Sequence, residues 1–322
     1  MSPSPEAQAH VEARQRLAEA TARATHAVWR DIDRDNVYSS WMLLLGRVLA
    51  IVSGGQLAAA QSTNLWLLQL LGLPPPEYPD ERLVPASLVG VDGAGRPLAT
   101  VLMAPMWTAL RQITQGKPVA QSMAHGQALL DVIVRTAVAD TGRAADQVGM
   151  VARRDVTTYV RVTNSGACSR CVILAGIRVG GVSTAFQRHP NCHCGMEPVT
   201  KSRRPEPFDA KDLYNEMSEA ERKKTFGEAG MKAIDAGADP AQVVNARRGM
   251  SSATVFGKKL LITTEGTTAR GLAGKRLGDL QKVPGQRLRV SQTPRLMPED
   301  IFRLADGREH EIRLLRTHGY IV

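Results

Sequence analysis

Residues 167–194 read ACSRCVILAGIRVGGVSTAFQRHPNCHC and contain all four cysteines of a 322-residue chain. Cys168 and Cys171 have the C-x-x-C spacing with which two thiolates hold one face of a metal ion. The second group follows after seventeen residues and consists of His189, Cys192, His193 and Cys194. Two such groups in one short segment predict a structural zinc site, because together they can supply the four ligands of a tetrahedron.

Six side chains compete for those four ligand positions. We expect Cys168 and Cys171 to supply the first two. His189 with either Cys192 or Cys194 is the preferred second pair, and Cys192 with Cys194 is the alternative. The histidine between the two cysteines is expected to point away from the metal. A thiolate-rich site leaves no open coordination position, so we expect a structural ion and no catalytic one.

Three other interpretations of the cysteines stay open at this point. A redox dithiol needs only one C-x-x-C pair and leaves the second group without a role. Two disulfides need an oxidising compartment, and the first residues, MSPSPEAQAH, lack the pattern of a secretory signal. Buried thiols without a common partner are frequent one at a time, but they do not explain the clustering.

The composition, 43% hydrophobic and 22% charged, is typical of a folded chain with a sizeable core. The most apolar stretch, SSWMLLLGRVLAIVSGGQLAAA, is interrupted by Arg47, by Gly54-Gly55 and by Gln56. It therefore falls short of the roughly 20 uninterrupted apolar residues that span a membrane. A buried helix, and no membrane span, is the prediction.

Periodicity and capping signals predict helices through the first half of the chain. Residues 4–33 form one long helix with Ser4 as the cap and Pro5 in the first helical position. Two apolar helices follow over 37–53 and 56–72, separated by a glycine pair.

A proline-rich connector then leads to an extended piece around the turn Asp92-Gly93. Helical periodicity returns over 105–115, 118–141 and 143–154. The sequence TTYVRVTN, which is rich in β-branched residues, predicts a strand just before the cysteines.

Beyond the cysteines, Ser218 and Glu221 form a capping box at a helix start. PAQVVNARRG predicts a further short helix. The tail reads as two short helices, with Pro298 near one start and Gly319 after the last end.

The predicted fold class is mainly α with a small α+β zinc-stapled core, in which short strands surround the cysteine cluster. In chain order, the predicted segments are N-terminal helices (1–72), a proline-rich connector with an extended piece (73–104), a helical region (105–155), the cysteine-rich core (156–200), a helical segment (201–249), and a basic arm with C-terminal helices (250–322).

Most of the formal net charge of +10 lies in residues 241–295. This window holds eleven lysines and arginines, against only Glu265 and Asp279. Such a block predicts either non-specific contact with DNA or an acidic protein surface, or a solvated segment without a partner. The cysteine spacing does not match a zinc finger that reads DNA sequence, so a specific DNA-binding protein is the least favoured function.

ACSRCVILAG followed by HPNCHC resembles the C-x-x-C…HP-x-C-x-C core of the Mu F-like minor head proteins of tailed bacteriophages. The QVVNARRG segment at 242–249 and the RLMPEDIF…LLRTHGYI tail at 295–321 are similar to the version found in phages of actinobacteria. The resemblance covers most of 150–322, whereas the first 150 residues match only in helical character.

This resemblance implies a minor head (capsid) protein near the portal vertex, with a structural role in head assembly, DNA packaging or ejection. Its implied partners are the portal protein and the major capsid or scaffolding proteins. Its implied location is the head interior of the virion, and the host cytoplasm during assembly.

Relatives of this type are often labelled capsid maturation proteases, and proteolysis of head proteins is the alternative function. The sequence has neither a G-x-S-x-G elbow nor an H-E-x-x-H motif. Ser165, Ser169, His125 and His189 could form a nucleophile–base pair only if the fold brought them together.

Some relatives of this type also carry a toxin domain with a Glu-x-Glu pair. Here Glu309 and Glu311 lie in the predicted last helix, where a solvated face is the preferred interpretation.

Overall fold

A computed structural model of the chain describes residues 3–78, 81–163, 166–177, 180–206, 208–255 and 257–322. These residues form two compact units, which we describe separately. The helical unit comprises Pro3–Ser165 and Gly176–Pro207, and the mixed unit comprises Gly166–Ala175 and Phe208–Val322. About 56% of the chain is helical and the sheets are few and small, as expected for a mainly α protein.

The helical unit packs long helices against one another and adds one two-stranded sheet. Its elements are α1 (Pro5–Arg30), α2 (Val37–Leu71), α3 (Leu98–Val101), α4 (Ala104–Thr114), α5 (Val119–Val151), β1 (Val156–Val162) and β2 (Gly195–Thr200). The largest apolar cluster joins α1, α2, α4 and α5 around Trp29, Trp41, Met106 and Leu130. Burial of these side chains is the main term that stabilises the unit.

Helix α1 begins as the sequence predicts. The Ser4 side chain accepts a hydrogen bond from the Ala7 backbone N–H at 3.3 Å, and Pro5 occupies the first helical position. A missing N–H costs nothing there, because the first turn of a helix has no internal acceptor for it.

The predicted break in the apolar helices at Gly54-Gly55 is wrong, since α2 runs without interruption from Val37 to Leu71. Gly55 instead permits close packing against α1. A Cβ at this position would lie 2.5 Å from the Thr21 hydroxyl oxygen. The packing gain offsets the roughly 1 kcal/mol that glycine costs inside a helix.

The same correction applies to the predicted break near residue 142, because α5 is one helix of 33 residues. A Cβ on Gly142 would lie 2.2 Å from Nη1 of Arg14. Gly55 and Gly142 therefore both mark places where a side chain of α1 lies close to a neighbouring helix.

Helix α2 is long and apolar enough, by length and composition alone, to cross a membrane. Core helices inside a folded protein pass the same test, and α2 buries residues along its whole length. The absence of a membrane span stays a prediction.

The strand predicted from TTYVRVTN is present as β1, and it pairs antiparallel with β2, which follows the last cysteine. Short strands therefore flank the cysteine segment, as predicted. The piece expected to be extended around Asp92-Gly93 contains one isolated bridge, between Val91 and Pro97, and then becomes helical in α3.

The mixed unit combines short helices with small sheets. Its helices are α6 (Ser169–Val172), α7 (Ala210–Glu216), α8 (Glu219–Phe226), α9 (Glu228–Asp235), α10 (Pro240–Ala246), α11 (Leu272–Leu277), α12 (Pro298–Leu304) and α13 (Arg308–Thr317). Its strands are β3 (Met250–Val255), β4 (Lys258–Thr263), β5 (Leu280–Gln281), β6 (Val290–Ser291) and β7 (Arg295–Leu296). The core of this unit is centred on Tyr214, Phe226, Met297, Ile301 and Tyr320.

Local signals in this half of the sequence are confirmed. Ser218 and Glu221 form the reciprocal hydrogen bonds of a capping box at the start of α8. The basic window, which shows no helical periodicity, contains the three-stranded antiparallel sheet β3-β4-β7.

Candidate metal centre

The first cysteine pair lies at the start of α6, within the mixed unit. Cys168 is the N-cap residue, and its carbonyl accepts a hydrogen bond from the Cys171 N–H at 2.9 Å. Cys168 is exposed and Cys171 is buried. Val172 and Ile173, which follow directly, belong to the apolar core of the unit and anchor the turn.

The second group of candidate ligands lies in the helical unit, on the loop that enters β2. The Cys192 N–H donates to the carbonyl oxygen of His189 at 3.1 Å, which closes a tight turn. Asn191, within that turn, has φ 58°, in the left-handed region that asparagine adopts more readily than most residues. Cys192 and Cys194 are both buried, whereas His189 is half-buried.

Helix α5 holds this loop through polar side chains on one face. The Thr136 hydroxyl oxygen accepts a hydrogen bond from the Asn191 N–H at 2.9 Å. Nη1 of Arg143 donates to the carbonyl oxygens of Cys192 and Cys194, at 2.9 Å and 3.1 Å. The backbone on either side of His193 is therefore tied to the helix.

Cys168 and Cys171 of the mixed unit each offer one sulfur donor, and the loop of the helical unit offers the donors of His189, Cys192 and Cys194. Thiolate sulfur and imidazole nitrogen are the donors preferred by zinc and by soft transition metals, so these side chains could bind such an ion. His193 is not among these candidate donors. Burial, together with the nearby charge of Arg135, lowers the pKa of His193 below its ordinary value.

The residues considered for proteolysis have other roles or lie outside the described part of the chain. Ser165 lies outside it, and Ser169 is the first residue of α6. Nδ1 of His125 hydrogen-bonds to Gln112 at 2.6 Å, and Nδ1 of His189 contacts the carbonyl oxygen of Pro190 at 2.8 Å.

The Glu-x-Glu pair occupies the first turn of α13, as predicted for a helical position. Glu309 is exposed and Glu311 is half-buried. Acidic side chains in a first turn interact favourably with the positive end of the helix dipole, which accounts for both residues structurally.

Sequence reasoning did not find the polar groups on α5 that support the second group. Thr136, Asp140 and Arg143 are spaced by four and three residues, so they lie on one helix face. That spacing is a usable signal, but nothing in the sequence indicates that the face meets the cysteine loop.

A family model described as VG15 protein matches residues 97–220, which include the whole cysteine segment. No curated protein and no solved structure gives a significant match to the chain. The match covers well under half of the chain, and the VG15 family is associated with phages. It indicates that the protein is encoded by a phage.

Proposed function

We propose that the protein is a minor head protein of a tailed bacteriophage, associated with the portal vertex and structural in role. The observation that carries the proposal is the phage family match over residues 97–220, which coincides with the cysteine motif of Mu F-like minor head proteins. The partners we propose are the portal protein and the major capsid or scaffolding proteins. The proposed location is the head interior.

An apolar surface on the helical unit supports a role in assembly. Tyr38 and Met42 of α2 are both exposed and lie one helical turn apart. The ring of Tyr38 lies 5.7 Å from that of Trp107, which is also exposed. Single exposed apolar residues are ordinary, but a contiguous group is typical of a protein interface.

We further propose that the cysteine cluster binds a structural zinc ion. Of the five candidate ligands, four are cysteines and three of these are buried, which suits a closed structural site. When bound, the ion would fix the short segments that carry its ligands. Cys168, Cys171, His189, Cys192 and Cys194 are the residues that would hold it.

The basic window supports non-specific contact with packaged DNA. Nine of its eleven basic side chains are exposed: Arg248, Lys258, Lys259, Arg270, Lys275, Arg276, Lys282, Arg287 and Arg289. Phosphate contacts of this kind release counterions, so affinity for duplex DNA should fall steeply as salt rises. The same slope on unrelated DNA sequences would mark the contact as non-specific.

The test is co-expression of the chain with the major capsid and portal proteins of its phage, followed by purification of heads and intact-mass spectrometry. A few copies per portal-containing head, with capsid chains at full length, are the expected result. Absence of the protein from such heads would overturn the proposal. Trimming of capsid chains only when the protein is present would support the protease alternative instead.

Two variants locate the docking surface. Met42→Glu places a charge within the exposed apolar group, and we expect it to lower the copy number per head. Gln115→Glu is the matched control, because it adds the same charge at an exposed polar position after α4. Equal copy numbers for the two variants would exclude this surface as the docking site.

A further inference from the structure

The Arg143 side chain is 5% exposed and lies between α5 and the loop that carries Cys192 and Cys194. One of its nitrogens, Nη1, binds both cysteine carbonyls, and the other, Nη2, pairs with the Asp140 carboxylate. Two carbonyls from alternate residues held by one nitrogen fix the direction of the backbone between them. They therefore also fix the direction in which the two cysteine side chains leave that backbone.

The same carboxylate holds the start of the loop. Nε of Arg188 lies 2.6 Å from Oδ1 of Asp140, and Nη2 of Arg188 donates to the carbonyl oxygen of Gly93 at 2.9 Å. Arg188 immediately precedes His189. Asp140 therefore binds both Arg188, at the start of the loop, and Arg143, which binds the carbonyl groups of Cys192 and Cys194.

A purely stabilising role explains this arrangement poorly. Burying an ion pair costs several kcal/mol per ion in lost hydration, and apolar side chains of similar volume often stabilise a core as well or better. The cost is raised by Nε of Arg143, which is buried without a hydrogen-bond partner among the described residues. Groups of this kind beside a metal site characteristically orient its ligands.

The local charge also suits sulfur ligands. Arg143 and Arg188 share one carboxylate, which leaves the trio with a net positive charge. A zinc ion bound by three or four thiolates carries a net negative charge, so the trio would stabilise the loaded site electrostatically.

We propose that Thr136, Asp140 and Arg143 form a platform on α5 that pre-organises the loop 188–194 for metal binding, with Arg143 as the positioning residue. The proposal rests on the metal site proposed above. Residues that do not contact the ion would then contribute to the zinc affinity of the protein. The reason is that a loop already held in place loses little conformational freedom when the ion binds.

The test measures zinc affinity of the full chain by competition with a chromophoric chelator. The Co²⁺ absorption spectrum serves as a second readout of thiolate coordination. Arg143→Met removes the carbonyl contacts and keeps a long side chain. We expect it to weaken zinc binding about 10- to 100-fold, the usual effect of losing an outer-shell partner. Thr136→Val, which only removes the contact to the Asn191 N–H, should give a smaller loss and serves if Arg143→Met does not fold.

Arg153→Met is the matched control. Arg153 is 4% exposed, belongs to the same unit and also donates to backbone carbonyls, those of Leu73 and Gly149, away from the cysteine loop. It should lower stability while leaving zinc affinity unchanged. Equal zinc affinities for wild type, Arg143→Met and Thr136→Val would overturn the positioning role. A wild-type chain that binds no zinc would overturn the metal site itself.

Discussion

Two arginine side chains, Arg14 in the helical unit and Arg295 in the mixed unit, are held by different kinds of partner. In the helical unit, Arg14 donates to both oxygens of Asp146, at 2.8 Å and 3.2 Å, and the two side chains form an ion pair. In the mixed unit, Arg295 is 1% exposed and its hydrogen bonds go to neutral oxygens. These are the carbonyls of His318 and Glu265 at 2.8 Å and 2.7 Å, with weaker contacts to Gly319 and Gln242.

The two guanidinium groups also differ in the residues that surround them. Asp146 also accepts from Thr63 at 2.9 Å and contacts His10, whose ring stacks on Trp66 at 4.0 Å. Burial opposes the ionised form of Asp146, but Arg14 and His10 outweigh it, so the pKa of this carboxyl lies below its ordinary value. Arg295 instead lies over the ring of Tyr320 at 4.4 Å, a cation–π contact.

The contrast teaches that the Arg14 site depends on compensation of charge, and the Arg295 site on satisfaction of backbone oxygens. Removing one partner in the first case leaves a buried charge uncompensated, which is the most costly kind of defect. Removing the arginine in the second case leaves carbonyl groups without donors, which costs less for each group.

The largest effect should follow Asp146→Ala in the helical unit. We expect a loss of roughly 3–5 kcal/mol in the free energy of unfolding, because Arg14 loses its counter-ion and His10 loses its hydrogen-bond partner. All four tryptophans belong to this unit, so denaturant unfolding followed by tryptophan fluorescence reports on it alone.

Asp31→Ala is the control for that measurement. Its ion pair with Arg47 is more than half exposed on both sides, and such surface pairs contribute about 0–1 kcal/mol. Equal losses for the two variants would contradict the role of charge compensation in the core.

Arg295→Met should have the next largest effect. We expect roughly 2–3 kcal/mol, because two well-placed carbonyl hydrogen bonds are lost but no uncompensated charge is left behind. Hydrogen exchange of α12 and α13 measures this loss within the mixed unit. A loss of stability larger than that of Asp146→Ala would contradict the expected ranking of the Arg14 and Arg295 sites.

Arg295 also shows the limit of what the sequence can predict. It counts as one of eleven charges in a basic window, yet its neighbours in space come from residues 242, 265, 318 and 319. Ser4, Pro5, Ser218 and Glu221 were identified correctly because their partners lie within four residues. Contacts between distant residues leave no comparable local pattern.

The same distinction between local and distant contacts applies to the candidate metal centre. The spacing of the cysteines and His189 is local, and it was enough to name them as candidate ligands. Arg143 was missed because its contacts to Cys192 and Cys194 span about fifty positions. The glycine pair at 54 and 55 gave a wrong helix break for a related reason: the role of Gly55 depends on Thr21, which lies on another helix.

A smaller effect is expected from the protonation of His318 in the mixed unit. His318 is 6% exposed, and its Nδ1 accepts the Leu296 N–H at 3.2 Å. Burial and the charge of Arg295 lower the pKa of His318 from 6.5 to about 4. The neutral form therefore stabilises the fold above pH 6.5, and this contribution is lost as the pH falls toward 4, because the unfolded chain takes up the proton first.

Between pH 7 and pH 5 this linkage amounts to roughly 2 kcal/mol. His318→Asn keeps an acceptor near the Leu296 N–H and cannot be protonated in this range, so it should remove that part of the pH dependence. Hydrogen exchange of the mixed unit at both pH values, for wild type and variant, checks the expectation. An unchanged pH dependence in the variant would assign the effect to another group.

The smallest effect concerns helix ends, where the two units should differ again. Ser218 caps α8, a helix of only eight residues, and both its N–H and its hydroxyl donate to Glu221, at 2.9 Å and 2.7 Å. Ser218→Ala should cost about 1 kcal/mol, and Ser218→Gly only a few tenths, because glycine leaves the backbone N–H groups open to water.

Ser4→Ala at the start of the 26-residue α1 should change hydrogen exchange only in the first turn, since the rest of that helix is fixed by packing. If Ser4→Ala instead lowers protection along the whole of α1, the capping contact there supports the long helix as strongly as the short one.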